Sequence, residues 1–279
     1  MILPTDGHVH SEWSWDAPNG DMVAACARAV ELGLPAIAFT EHLDHTVWRV
    51  ALDDLEPDHL LVGLSDDQGV LTPPALDAVG YLTAVDECRE RFPQLRILTG
   101  LELGEPHRHR DQVAQVLAAG QFDRVLGSLH TLPDRGGYAE PSGLFTHREP
   151  GEVLSTYLTE VAAVVTGSDP FAVLAHIDYP VRAWPRSAGP FVPDRFEDEF
   201  RHALRLLARN GLALEVNTVV PLHATLLRWW HEEGGEAITF GSDAHDPTAV
   251  ARGFRDAVHM ADAHGFRPGD RPYDVWGRQ

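Results

Sequence analysis

His8 and His10 stand one residue apart in Asp6-Gly7-His8-Val9-His10-Ser11, just after an apolar start. Residues two apart on a strand face the same side, so both imidazoles can reach one pocket and hold one metal ion through neutral ring nitrogen. Alone, the pair is a weak signal in a chain with 16 histidines. It gains force from His42, Glu102, His130, His176, Asp243 and His245, each at or just past the carboxyl end of an apolar, strand-like run. Chance placement would scatter such residues over helices and over the amino ends of strands as well. Imidazole and carboxylate gathered at one end of a parallel sheet point to metal-assisted chemistry.

Composition narrows that chemistry. All 22 basic residues are arginine, which excludes a Schiff-base lysine, a phosphate-loop lysine and a carbamylated bridging lysine. Cys26 and Cys88 fall in predicted helices, so any metal must be held by histidine and carboxylate rather than thiolate. A formal charge of -20 argues against a phosphate-backbone surface, since nonspecific nucleic-acid binding draws on basic side chains. A small anionic substrate stays open, because bound metals supply local positive charge. The start has no basic segment followed by an apolar run, and no stretch approaches the ~18 apolar residues of a membrane span. These features predict an unanchored, cytoplasmic protein.

The elements that must position these residues alternate. Strand-like runs at 35–40, 95–103, 124–130, 171–178, 212–217 and 237–245 follow the first strand. They are interleaved with helical patterns at about 21–32, 74–92, 110–119, 152–165, 194–209, 221–233 and 247–264. Seven strand-then-helix units in 279 residues predict a parallel sheet in a single domain, 1–279, closed into a barrel; an open doubly wound sheet is the alternative. Long connections at 43–74, 131–150 and 178–193 read as lid or substrate-binding segments.

The motifs DGHVHSEWSWD at the amino end, TEH at 40–42, GLE at 100–102, GSLH at 127–130, AHID at 175–178 and GSDAH at 241–245 resemble those of the PHP (polymerase and histidinol phosphatase) superfamily of metal-dependent phosphoesterases. Within it the chain is most similar to the stand-alone histidinol-phosphate phosphatases. The resemblance implies an α/β fold, a distorted seven-stranded (β/α)7 TIM-like barrel. It also implies three clustered divalent ions, zinc, manganese or iron. His8, His10, Glu102 and Asp243 would hold one, Glu102, His130 and His176 a second, and Asp16, His42 and His245 a third. Such a cluster acidifies a bound water to give hydroxide near neutral pH and clamps phosphate oxygens, so Glu102 and Asp243 would serve catalysis without a separate nucleophile.

Arg182 matches a basic position that the phosphatase branch turns toward the substrate phosphate, where a planar guanidinium suits bidentate binding. Tyr179-Pro180 replaces an apolar pair usual in that branch, and Trp184 follows closely as a candidate substrate contact. Trp13, Trp15 and Trp48 also fall near the predicted mouth, either as leaving-group contacts or as packing. Asp178 orients a metal-bound histidine or serves a turn; Glu12 reads as a solvated charge, and Glu215 and Asn217 as the rim. The expected activity is hydrolysis of a small phosphomonoester, with L-histidinol phosphate the first candidate. The alternatives are a phosphodiesterase or exonuclease on nucleotides or short oligonucleotides, a noncatalytic metal-binding module, and an amidohydrolase, whose dinuclear form commonly needs the absent lysine.

Overall fold

The computed structural model describes residues 3–56, 58–167 and 170–279. Strand β1 (Asp6–Val9) leads to helix α1 (Met22–Leu32). Asp21 starts that helix by accepting a hydrogen bond from the Ala24 N–H, and Gly33, left-handed at φ 71°, ends it. The wholly buried strand β2 (Ala36–Leu43) precedes three short elements, β3 (Trp48–Arg49), α2 (Leu60–Leu64) and β4 (Val70–Leu71). Helix α3 (Ala78–Arg91), β5 (Arg96–Gly104), α4 (Arg110–Leu117) and β6 (Arg124–Ser128) follow. A hairpin of β7 (Leu132–Asp134) and β8 (Gly137–Ala139) leads through α5 (Pro141–Leu144) to the long α6 (Pro150–Gly167). The chain then forms β9 (Val173–Leu174), α7 (Glu197–Arg209), β10 (Ala213–Asn217), α8 (Ala224–Glu232) and β11 (Ala237–Gly241). It closes with α9 (Phe254–Ala263), β12 (Phe266–Arg267) and β13 (Trp276–Arg278).

The large sheet has the order β1-β2-β5-β6-β9-β10-β11-β13-β12. Its first seven strands run parallel, each beside its predecessor in the α/β alternation, and β13 and β12 run antiparallel. Helices bury the outward side chains. Tyr157, Phe200, Trp229 and Trp230 pack one large cluster from α6, α7 and α8; Met22, Cys26, Tyr81 and Val85 pack another from α1 and α3. Fully burying such an apolar side chain contributes roughly 1.5–3 kcal/mol. No helix among the described residues is long and apolar enough to cross a membrane.

The expected closed seven-stranded barrel is not what forms. The sheet is mixed, nine-stranded and open, an open half-barrel in its hydrogen-bonded order. The reason lies at the edge of β11, where β13 takes the ladder positions through Ala237–Gly277 and Ile238–Trp276. β1 reaches only one bridge, Val9 to Ala244, beyond the end of β11. Two backbone bonds there, Asp243 N–H to His8 O and His10 N–H to Ala244 O, both 2.8 Å, tie the end of β1 to the segment after β11 without a paired strand. The connections at 43–74 and 131–150 are not free loops: they supply a four-stranded sheet, β4-β3-β8-β7.

Candidate metal centre

Glu102 stands at the centre of the parallel sheet's carboxyl end, in β5 opposite His42 of β2 and Leu126 of β6. Its two carboxylate oxygens face different partners. Oε2 lies 3.1 Å from His8 Nε2 and 3.3 Å from His10 Nε2; Oε1 lies 3.1 Å from His130 Nε2 and 2.7 Å from His176 Nε2. Asp243 Oδ1 completes the first group at 3.3 Å from His10 Nε2 and 3.5 Å from His8 Nε2. Asp16 Oδ2 lies 3.3 Å from His42 Nε2 and 3.2 Å from His245 Nε2.

Among the described residues, four overlapping groups have donor atoms close enough together to share an ion: His8-His10-Asp243, Glu102-His130-His176, His10-His42-His245 and His42-Asp44-His130. The metal-ligand candidates of the sequence thus come together in one cluster; Asp16 belongs to none of the four groups and meets His42 and His245 at its edge.

A rule of orientation runs through the cluster. A metal-binding histidine is commonly oriented by a partner that holds its other ring nitrogen from outside. Glu215 Oε1 holds His8 Nδ1 at 2.7 Å, Asp44 Oδ1 holds His130 Nδ1 at 3.2 Å, and the Asp243 carbonyl holds His245 Nδ1 at 3.0 Å. His10 Nδ1 meets Ser14 Oγ at 3.0 Å, and that hydroxyl donates onward to Glu41 at 2.5 Å. In each case Nε2 is left facing the cluster. His42 Nδ1 and His176 Nδ1 are the exceptions, each buried without a hydrogen-bond partner.

Backbone strain accompanies the same residues: His176 at φ 21° and Asp243 at φ 51° occupy the sparsely populated positive-φ region. Gly241 leaves the room that His8 and Glu215 need, since a Cβ there would collide with the Glu215 carboxylate and the His8 Cβ. Glu105 fixes the turn after β6 by accepting from the His130 and Thr131 N–H groups at 2.7 and 2.9 Å.

The electrostatics fit cations. Burial would raise the pKa of Glu102, but His8, His42 and His130 outweigh it and hold the carboxyl well below its ordinary value. Burial would lower His8, yet Glu215, Asp243 and Glu102 hold it well above the usual imidazole range. Protons on these rings thus balance buried carboxylates, a role divalent ions take over when they bind and release them. His42 Nδ1 lies 3.3 Å from both Asp44 Oδ2 and Glu102 Oε2, yet makes no hydrogen bond, and Asp16 Oδ1 is likewise buried without one. The donor set is nitrogen and oxygen alone, which suits zinc, manganese or iron. Cys26 and Cys88 lie in the core between α1 and α3 and belong to none of these groups.

The cluster floors a cavity of about 330 Å³. Arg182 lines it and donates to Asp243 and, at 3.3 Å, to Asn217, with its guanidinium over the Tyr179 ring. Burial would lower the pKa of Arg182, but Asp243 more than offsets it and keeps the side chain charged. Trp15 and Trp48 also line the cavity, and Trp15 Nε1 donates to Asp44. Trp184 does not: its indole packs against Phe145, Phe191 and Phe196, and Nε1 donates to the Gly189 carbonyl. Trp13 packs into the core, and Glu12 accepts from the Met22 N–H at the start of α1.

Glu41, Asp44 and Ser14 were not nominated from the sequence, and Glu215 only as rim, although it is buried beneath His8. Asp44 had a signal, the two-residue strand period that places it on the same side as His42.

Comparison with known proteins agrees with this geometry. The PHP domain family model matches residues 6–219. A probable histidinol-phosphatase of Clostridium acetobutylicum is 25% identical over 64% of this chain and 72% of its own length. The histidinol-phosphatase of Lactococcus lactis subsp. lactis is 25% identical over 86% of this chain and 83% of its own length. In fold, the chain is similar to the crystal structure of histidinol phosphate phosphatase from that organism, complexed with zinc, L-histidinol and phosphate. The TM-score is 0.77 at 22% identity, over 96% of this chain and 95% of that one. With the family model spanning most of the length and the histidine and carboxylate cluster standing at the sheet's carboxyl end, the chain belongs to the PHP domain family.

Proposed function

We propose that this metal-dependent phosphoesterase hydrolyses a small phosphomonoester, L-histidinol phosphate being the first substrate to try. The observation that carries the reading is Glu102 splitting its two oxygens between His8-His10 and His130-His176 at the floor of a cavity that Arg182 overlooks. In this reading three divalent ions share the donors, one held by His8, His10, Glu102 and Asp243, one by Glu102, His130 and His176, and one by Asp16, His42 and His245. When bound, such ions supply an acidified water near neutral pH and neutralise phosphate oxygens.

The chain's own residues do the rest. Glu215, Asp44 and Ser14 fix ring tautomers so that Nε2 atoms converge. Arg182, charged and steadied by Asn217 and Tyr179, binds the phosphate and offsets charge that grows in the transition state. The phosphatase relatives and the -20 formal charge both favour a small phosphorylated substrate over a nucleic acid.

Phosphate release by zinc- or manganese-loaded protein from L-histidinol phosphate, other small phosphomonoesters, nucleoside monophosphates and a short oligonucleotide tests this. Preference for histidinol phosphate is expected. Cleavage of the oligonucleotide with no release from monoesters would replace the reading by a phosphodiesterase, and metal binding without any release by a noncatalytic module.

A further inference from the structure

The cavity does not end at the histidines. Trp48, Leu61 and Glu140 line both it and a second chamber of about 190 Å³, whose walls include the apolar Val50, Ala51 and Leu55. These residues come from the segments around β3, α2 and α5, apart from the strands that carry the metal donors.

Five carboxylates line the main cavity: Asp16, Asp44, Glu102, Glu140 and Asp243. Four of them face basic partners. Asp16 and Asp44 meet histidines, Glu102 meets five, and Asp243 meets Arg182 as well as His8, His10 and His245. Glu140 differs. Its oxygens receive only neutral donors, the Tyr179 hydroxyl at 3.3 Å and the Ser142 hydroxyl at 3.3 Å, and among the described residues no arginine or histidine forms an ion pair with it. Burial pushes its carboxyl above the ordinary value, an effect that the charge of nearby His130 and the two hydroxyls offset only in part. Such a group costs stability unless a ligand completes it, and an apolar chamber beside it gives the uncharged part of that ligand a place to bury.

We propose that Glu140 is the specificity residue for the leaving group, selecting phosphomonoesters whose alcohol carries an ammonium or imidazolium, with the apolar remainder lodged between Trp48 and Leu55. The assignment rests on the phosphomonoesterase reading above. It requires the cation to lie on the Glu140 side of the cavity while the phosphate lies over the histidines beside Arg182. A carboxylate that pairs with a cation discriminates against an uncharged analogue, because that analogue leaves it partly desolvated with only its hydroxyl partners.

The test compares kcat/KM for L-histidinol phosphate with kcat/KM for 4-nitrophenyl phosphate in metal-loaded wild type and Glu140→Gln. Intrinsic differences between the two esters cancel when the ratio in the variant is divided by the ratio in the wild type. That quotient is expected to fall roughly tenfold or more, chiefly through KM for the cationic ester. Glu140→Arg provides a second reading, an inverted preference toward phosphomonoesters that carry a carboxylate. An unchanged quotient in Glu140→Gln together with no inversion in Glu140→Arg would overturn the assignment while leaving the phosphomonoesterase intact. No release from either ester by metal-loaded wild type would overturn the phosphomonoesterase reading, and the assignment with it.

Discussion

At the floor of the cavity, Glu102 sits in a nine-residue strand paired on both sides, opposite His42 on one and Leu126 on the other. At its wall, Trp48 belongs to a two-residue strand, and β3 meets β8 through one register pair, Arg49 with Ala139. The floor residues are fixed by ladders and by outer partners such as Glu215, Asp44 and Glu41. The wall residues are held by short elements with few backbone bonds. Metal chemistry needs donors placed to a fraction of an ångström, which regular strands provide. Substrate choice tolerates, and profits from, a wall that changes without disturbing the sheet.

Substitutions at the floor should therefore affect every substrate, and those at the wall the choice among substrates. The largest effect is expected for Glu102→Gln, which weakens donors to two metal groups at once. Phosphate release should drop roughly a thousandfold or more for all esters, beyond the ~10–100-fold typical of an outer partner. Circular dichroism should still show a folded protein. A folded variant that lost only one substrate would break the contrast between floor and wall.

Arg182→Ala should lower kcat by roughly 10²–10³, the usual scale for removing one transition-state donor, with metal content unchanged. Loss of metal instead would assign Arg182 to supporting Asp243. Glu215→Gln should weaken metal affinity by roughly 10–100-fold, measured by competition with a chelator, because His8 then lacks the carboxylate that fixes its tautomer.

The smallest effect lies outside both regions. Glu233 accepts from Arg201 Nη1 and Arg205 Nε, each at 2.8 Å, joining α7 to α8. Burial would raise its pKa, but the two arginines outweigh it and hold it below the ordinary 4.5. Its stabilisation is thus fully present above about pH 4.5 and is lost as pH falls through the lowered folded value. Glu233→Gln should cost no more than ~1 kcal/mol in urea unfolding at pH 7 and nothing in strong acid, with turnover unaltered.

The contrast between floor and wall also explains what could be read from the sequence. Histidines and carboxylates at strand ends are visible because period-two runs and the sheet's parallel sense dictate where they go, and His8, His10, Glu102 and Asp243 meet as that logic requires. Sheet closure was not visible, since it turned on a three-residue strand, β13, occupying the edge of β11. Trp184 shows the limit on the wall: its nearness in sequence to Arg182 said nothing of its direction, and three phenylalanines drew its indole away from the cavity. Glu140 carried no signal, because its place depends on β3 and β8 pairing across some ninety residues of chain, roughly the separation of Arg49 and Ala139.

Metal dependence is the central claim, and its most direct test is metal content and phosphate release measured on one preparation before and after chelation. More than one divalent ion per chain is expected, with release of phosphate from L-histidinol phosphate abolished by chelation and restored by zinc or manganese. A chelated, metal-free protein that kept its original rate would contradict the account.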